Sequence, residues 1–234
     1  MNNIRSRTRA LVHRFGFERI THPSIVDFIR HERIETVFDV GANEGHYAMD
    51  LRAHGFSGKI VSFEPIETVH RVLLANRARD EGWSSHQIGL GDEEHETEIT
   101  VSKVTVFSSL KSPTNYTTGK FMGAGEARRE TVQVKRLDEF LQCNGSRLGR
   151  AFLKIDTQGF EKEVLLGAGA ALSLFQAVQL ELALRPLYEG QDTIVPMINF
   201  MSELGFDIAM AKENGFDWQA MRLLELDVVF ARRS

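Results

Sequence analysis

The 234-residue chain predicts an α/β fold built on one open, mostly parallel sheet, and three observations carry that prediction. Apolar runs alternate with helical periods three times in succession between Glu35 and Leu90. The first run empties into the glycine turn Asp39-Val40-Gly41-Ala42-Asn43-Glu44-Gly45, and the second ends in an acid, Glu64, 25 positions after Asp39. Two apolar runs near the end, 207–211 and 224–231, leave no room for a crossover helix of usual length, so they predict an antiparallel pair at the sheet edge.

Each element follows from local pattern. A helix over 23–33 begins near Pro23, and Glu35 to Val40 is the first strand. Gly45 to His54 is a helix, Lys59 to Glu64 the second strand, Ile66 to Glu81 a long helix and Ser84 to Leu90 the third strand. Strand-helix alternation of this kind implies right-handed crossovers. Leu137 to Cys143 resumes a helix, Ala151 to Asp156 is the fourth strand, and 161–166 and 170–175 are helical. Ala177 to Ala183 is the fifth strand, and a helix over 193–204 is closed by Gly205.

Between these blocks the pattern changes. Glu96 to Phe107 and Glu130 to Arg136 alternate like exposed strands, on either side of a polar stretch holding Pro113, Asn115, Gly119, Gly123 and Gly125. We expect a β insertion over about 94–136, its polar part either a lid or disordered. Ser108 and Ser109 stand at its entrance and can face the pocket. Residues 35–234 read as one domain behind an N-terminal helical cap over 1–34.

Composition sets the outer limits. A net charge of −4 offers no overall field for nucleic acid or an anionic membrane. The single cysteine, Cys143, excludes an intrachain disulfide framework, fits a reducing compartment, and is expected to pack as a small apolar residue. No apolar run is long enough to span a bilayer, and we expect a cytoplasmic protein. The opening segment carries Arg5, Arg7, Arg9, Arg14 and Arg19 against one acid, Glu18, which leaves a transit peptide or an anionic-surface arm as alternatives to the cap.

The glycine turn and the acid together describe a nucleoside pocket. Gly41 and Gly45 permit positive φ and close backbone approach, and Glu64 at a strand end can accept both ribose hydroxyls. The turn lacks the Gly-Lys-Ser/Thr ending of a phosphate loop and the Gly-x-Gly-x-x-Gly spacing of dinucleotide folds. A nucleoside without phosphates is favoured, and S-adenosylmethionine is the obvious one. Asp156 is the candidate reacting group, because it ends a central strand at the crevice where α/β sheets bind ligands. Its competing role is to cap the helix that begins near Gly159, while Glu161 suits that helix's first turn. A magnesium ion held by Asp156 with Glu161 or Glu181 is possible but not favoured. His46 is a second candidate base, though a helix-start histidine is more often a surface residue. Arg185, Tyr188 and Gln191 follow the fifth strand and can hydrogen-bond a sugar, whereas Trp83 and Trp218 are expected to pack in the core or at its edge.

Four blocks in register, Asp39-Val40-Gly41-Ala42-Asn43-Glu44-Gly45, Phe63-Glu64-Pro65, Lys154-Ile155-Asp156-Thr157-Gln158-Gly159-Phe160-Glu161 with 164–168, and Asp227-Val228-Val229-Phe230, resemble the FkbM family of class I S-adenosylmethionine-dependent methyltransferases. The resemblance runs from about Thr36 to Phe230. It implies a Rossmann-like, seven-stranded, mostly parallel sheet with an antiparallel last strand. It also implies O-methylation of a small-molecule hydroxyl, typically on a sugar, glycolipid or polyketide. By match to the motifs, Asp39, Gly41, Ala42, Asn43, Gly45, Glu64 and Pro65 would line the cofactor site, with Leu90 and Asp92 near the adenine. Substrate contacts would fall to Ser109, Glu181, Arg185 and Tyr188. Where an amino-methyltransferase of nucleic acid would carry Asp/Asn-Pro-Pro-aromatic, this chain has Asp156-Thr157-Gln158-Gly159, which argues against a nucleic-acid substrate. The reading kept open beside this one is a nucleoside-binding module without catalysis. A nicotinamide-dependent dehydrogenase is disfavoured by the glycine spacing and the antiparallel ending.

Overall fold

A computed structural model describes residues 23–144 and 148–233, so the arginine-rich opening segment lies outside the described residues. The chain forms a seven-stranded sheet in the order β3-β2-β1-β7-β8-β10-β9 and a three-stranded sheet in the order β4-β6-β5. The strands are β1 (Thr36–Val40), β2 (Lys59–Phe63), β3 (Trp83–His86), β4 (Gly89–Leu90), β5 (His95–Ser102), β6 (Glu126–Lys135), β7 (Ala151–Ile155), β8 (Phe175–Ala183), β9 (Phe206–Asp217) and β10 (Arg222–Arg232). The helices are α1 (Ile25–His31), α2 (His46–Ala53), α3 (Glu67–Asn76), α4 (Asn115–Lys120), α5 (Leu137–Asn144), α6 (Glu161–Ala168) and α7 (Ile194–Glu203).

β1 and β7 pair in parallel at the centre, and every residue of both is buried. Covered on both faces, they read as continuous apolar runs rather than as alternation. Their side chains divide between two cores, one around Phe38, Leu153 and Phe175, the other around Val37, Phe152 and Trp83. Phe38 meets Phe175 edge-on at 5.4 Å. β10 runs antiparallel to both β8 and β9, which gives the mostly parallel sheet its antiparallel ending. α1 starts in a capping box, with Asp27 N donating to Ser24 Oγ (3.2 Å) and Ser24 N to Asp27 Oδ2 (2.9 Å).

Several expectations require correction. The third strand is not continuous to Leu90. β3 has a strand on one side alone, and after His86 the chain leaves it, so that Gly89–Leu90 pairs with β6 of the second sheet. The long helix stops at Asn76, because Arg77 Nε donates to Trp83 O (2.6 Å) and Asp80 takes Gly82 N (2.9 Å), turning the chain back at once. The strand expected to reach Phe107 ends at Ser102 and gives way to a 3-10 turn over Thr105–Phe107. Gly169–Leu174 is likewise a 3-10 turn, and β8 starts two residues earlier than Ala177. β9 continues from Phe206 to Asp217, well past Ala211, so β9 and β10 form a long hairpin. Cys143 is exposed rather than packed. Trp83 is core, its Nε1 donating to Ser62 Oγ (2.9 Å), whereas Trp218 at the hairpin tip is 76% exposed.

The polar part of the insertion is ordered. Thr114 caps α4 by accepting Thr117 N (3.3 Å). Asp217 at the end of β9 then takes the Tyr116 hydroxyl (2.9 Å) and the Lys120 ammonium (2.6 Å), tying α4 to the β9–β10 hairpin.

Candidate functional site

A cleft of about 490 Å³ opens at the carboxyl ends of β1, β2, β7 and β8. The sheet order gives it two unlike halves. On the β1-β2 side the walls are Phe63, Ile66, Ile88, Leu90 and Ile99, with Glu64 among them. On the β8-β10-β9 side they are Glu181, Glu225, Asn214 and Gly215, and Asp156 stands between the halves at the end of β7.

The turn after β1 is built on positive φ at Gly41 (71°), Asn43 (47°) and Gly45 (87°). The glycines answer to the protein's own packing. A Cβ on Gly41 would lie 1.9 Å from the Asp156 carbonyl oxygen, and one on Gly45 would lie 2.7 Å from the Trp83 ring. Gly41 N and Ala42 N donate to Phe63 O (3.1 and 3.0 Å), stitching the turn to the end of β2. Glu64 completes the joint: Oε2 accepts Asn43 N (3.0 Å) and Oε1 accepts Ile66 N (2.9 Å). Burial pushes its carboxyl up to about 7, against the pull of those two N–H groups.

Beneath the turn lies a charge that the sequence reading passed over. Lys154 Nζ sits 3.0 Å from Asp39 Oδ1 and 3.4 Å from Asp156 Oδ2, and donates to Gly41 O (3.3 Å). Burial alone would lower the ammonium's pKa, but Asp39 and Asp156 raise it above its usual range, so it stays charged. A lysine inside the apolar run Ala-Phe-Leu-Lys-Ile was the available signal.

The turn after β7 carries the second constellation. Asp156 N donates to Val40 O (3.1 Å), which sets the turn against β1. Glu161 Oε1 accepts Thr157 N (3.0 Å), Gly159 N (3.1 Å) and Thr157 Oγ1 (3.2 Å), so Glu161 rather than Asp156 holds the entry to α6. Its burial raises its carboxyl to about 7. Gln158, with φ 57°, places Nε2 3.0 Å from Asp156 Oδ1 and 2.6 Å from Glu181 Oε2. Asn214 Nδ2 donates to the other Glu181 oxygen. Burial, then the charges of Asp156 and Glu225, push Glu181 well up. Glu225 is raised to about 7 and Asp227 to about 6 by the same two causes, burial and Asp156.

Of the residues picked from sequence, Gly41, Asn43, Glu64, Pro65 and Leu90 line the first half of the cleft. Ser109, Asp156 and Glu181 also line it. Ser109 has its hydroxyl committed, donating to Gln158 O (2.7 Å). The others lie elsewhere. Asp39 is fully buried under the turn, Ala42 is packed in the core, and Gly45 sits against Trp83. Asp92 presents its carbonyl to Arg136 Nη1 outside the cleft. Arg185 stacks on Tyr116, 3.5 Å above the ring centroid, and Tyr188 is 1% exposed with its hydroxyl on Gln158 Oε1 (2.8 Å). Gln191 is spent on backbone, accepting Leu187 N (2.8 Å). His46 is exposed, 3.4 Å from Glu44. Gln158, Asn214 and Glu225 were missed: the first sits inside a quoted motif without a distinguishing pattern, and the others lie on a hairpin whose reach over the cleft has no local signature.

Among the described residues, no group of three or more His, Cys, Asp or Glu side chains is arranged to hold a metal ion. The carboxylates on which a magnesium site would draw are otherwise engaged, Glu161 with backbone N–H groups and Asp156 and Glu181 with the Gln158 amide. No described helix is long and apolar enough to cross a membrane.

Comparison with known proteins gives a family and a fold. Residues 39–208 match the methyltransferase FkbM domain. The magnesium protoporphyrin IX methyltransferase of Synechocystis PCC 6803, solved with bound SAM, superposes with a TM-score of 0.50 at 11% identity, over 89% of this chain and 76% of that one. The methyltransferase domain of a bacterial Hen1 (CtHen1-C) gives 0.50 at 10% identity, over 90% and 95%. At these identities the likeness is one of fold, the Rossmann-like methyltransferase sheet. The AMB antimetabolite synthetase AmbE of Pseudomonas aeruginosa PAO1 is 27% identical over 173 residues, covering 62% of this chain. The match takes in 8% of that synthetase's length.

Proposed function

The chain belongs to the FkbM methyltransferase family, and from that premise we propose that its cleft binds S-adenosylmethionine and moves the methyl group to a hydroxyl of a small molecule, a sugar, glycolipid or polyketide. The observation that carries the reading is the division of the cleft, with an apolar wall and one buried carboxylate on the β2 side and hydrogen-bonding acids on the β8-β10 side.

The residues fit the cofactor. Glu64 already orders Asn43 and Ile66, and each carboxylate oxygen keeps a second lone-pair direction for a ribose hydroxyl. Ile88, Leu90 and Phe160 offer a flat apolar base their surface. When bound, S-adenosylmethionine supplies an electrophilic methyl on a sulfonium. The chain's own work is alignment and exclusion of water, which can supply roughly 7–11 kcal/mol of the barrier in favourable cases. Asp156 stands where the halves meet and accepts the hydroxyl proton as transfer proceeds. Lys154 and Gln158 each hold one of its oxygens.

Polar acceptors on the β8-β10 side suit a polyhydroxylated molecule, and the absence of net positive charge favours a small acceptor over nucleic acid. We place the reaction in the cytoplasm on the strength of the single cysteine. The test is calorimetry with S-adenosylhomocysteine, followed by a screen of hydroxylated sugars and lipids for methyl transfer. Micromolar binding and transfer to a hydroxyl support the reading; binding without transfer to any acceptor moves the weight to a non-catalytic module, and no binding by folded protein ends it.

A further inference from the structure

We propose that Gln158 is a positioning residue, its amide fixing the Asp156 and Glu181 carboxylates as one pair at the junction of the cleft's two halves; the proposal rests on reading that cleft as a methyl-transfer site. A primary amide has two N–H bonds, and here both find carboxylates, Asp156 Oδ1 at 3.0 Å and Glu181 Oε2 at 2.6 Å. Two acids that would repel each other are thereby held by a shared donor. Asp156 is pinned from both sides, since its other oxygen faces Lys154 at 3.4 Å. What remains of its lone pairs is directed by Gln158 and Lys154 together, and that direction decides where an acceptor hydroxyl can donate.

The amide is itself held against rotation. Its oxygen accepts the Tyr188 hydroxyl at 2.8 Å, and a flipped amide would turn that oxygen toward two carboxylates. Tyr188 is buried and packs on Gly159, where a Cβ would stand 3.0 Å from the Tyr188 Cβ and 3.2 Å from the ring's Cγ. The Gln158 backbone has left-handed φ, a conformation that a non-glycine residue keeps when its surroundings over-determine it. Ser109 supplies part of that restraint, its hydroxyl on the Gln158 carbonyl at 2.7 Å. The Tyr188 hydroxyl also lies 3.2 Å from Phe107 O, so the insertion reaches the Gln158 backbone directly through Ser109 and its amide indirectly through Tyr188. Gln158 therefore acts through Asp156 and Glu181 and transmits the position of the insertion to them.

The charged groups facing Glu181 are Asp156 and Lys154 from the β7 side, Glu225 and Asp227 from β10 and Glu161 from α6, with Asn214 of β9 as its second donor. Among the described residues, Gln158 alone hydrogen-bonds both carboxylates of the pair.

The experiment follows the Glu181 carboxyl by NMR in protein carrying 13C-labelled glutamate, with the resonance assigned by its loss in Glu181→Gln. In Gln158→Met, which keeps length and loses the donors, the Glu181 titration moves up by about one pH unit, and S-adenosylhomocysteine affinity stays within about twofold of wild type. Tyr188→Phe, which keeps the amide but frees it, moves the titration the same way by less. With an acceptor from the hydroxyl screen, turnover of Gln158→Met falls about 10–100-fold at unchanged KM for S-adenosylmethionine. An unmoved Glu181 titration in folded Gln158→Met overturns the proposal, as does unchanged turnover. If Gln158→Met does not fold, an unmoved titration in Tyr188→Phe overturns it. Failure of the wild-type protein to bind S-adenosylhomocysteine is a separate result that removes the methyl-transfer reading, while the carboxylate pairing is still judged by the titration.

Discussion

The Glu64 carboxylate accepts the backbone N–H of Asn43 at 3.0 Å, so the end of β2 fixes the turn that leaves β1. Its other oxygen holds Ile66 N, and both lie on the wall of the cleft.

In the proposed cofactor site Glu64 must be ionised to receive two hydroxyl donors, yet burial holds it near 7 in the ligand-free protein. S-Adenosylhomocysteine affinity is therefore expected to rise with pH through 7 and to fall by up to about tenfold for each unit below it. Calorimetry at pH 6 and 8 measures this. Glu64→Gln loses about 100-fold at pH 8, two charge-assisted hydrogen bonds being at stake, and its remaining affinity is flat with pH. An equal pH slope in wild type and variant would remove Glu64 from the cofactor site.

Asp156→Asn keeps the shape of the turn and removes the group we propose as proton acceptor. We expect turnover lower by about 10²–10⁴-fold with S-adenosylhomocysteine affinity little changed. Near-normal turnover in the folded variant would strip Asp156 of the role.

Gly41→Ala and Gly45→Ala both force a side chain onto positive φ, and they differ in what the new Cβ meets. At Gly41 it meets a backbone oxygen at 1.9 Å, at Gly45 an indole ring at 2.7 Å. Both destabilise, Gly41→Ala the more, by roughly 3 kcal/mol or greater, because backbone at the end of β7 cannot step aside as a ring can. Urea unfolding compares the pair; a milder effect at Gly41 would contradict the geometry.

Glu225 titrates near 7 in the folded chain against a usual 4.5, raised first by burial and then by Asp156, Glu161 and Asp227. Between those values the folded state holds protons that the unfolded state has released, so its contribution is full below about 4.5 and is lost as pH rises through 7. Glu225→Gln is expected to raise the thermal midpoint by a few degrees at pH 8 and to leave it close to wild type at pH 4.5. A gain of equal size at both pH values would point to packing instead of charge.

Asp217 gathers the Tyr116 hydroxyl, the Lys120 ammonium and the N–H groups of Gln219 and Ala220. Asp217→Ala should release α4 from the hairpin while leaving the main sheet intact. Limited proteolysis would then cut within 103–125 faster than in wild type at a similar thermal midpoint. Unchanged cleavage would show that Thr117 Oγ1 and Thr114 N on Leu187 O (2.6 and 2.9 Å), with Arg185 stacked on Tyr116, hold α4 without Asp217.

The parts legible in the sequence are those whose local pattern and final environment agree. β1 and β7, buried on both faces, announce themselves as apolar runs, and the turn residues Gly41, Asn43 and Gly45 sit at the positive φ their types tolerate. Errors arise where a distant partner decides. Gly89–Leu90 looks like the tail of β3 because nothing nearby reveals its pairing with Val134 and Lys135. Lys212-Glu213-Asn214-Gly215 falls outside the strand expected over 207–211, since its strand character comes from β10 alongside and not from a buried face. The same limit applies to the site. Tyr188 is expected at the pocket mouth as a sugar contact, but it is buried with its hydroxyl on Gln158, and that burial depends on Phe107 and Gly159, which are distant in sequence from it.

The space that Gly41 leaves for the Asp156 carbonyl gears the two ends of the cleft to each other. An engineer who wishes to change the acceptor cannot treat the glycine turn after β1 and the turn after β7 as separate cassettes, since a side chain grafted at Gly41 presses on the Asp156 carbonyl. The β9–β10 hairpin, which lines the wall through Asn214, Gly215 and Glu225, is the portion that can be exchanged while that contact stays in place.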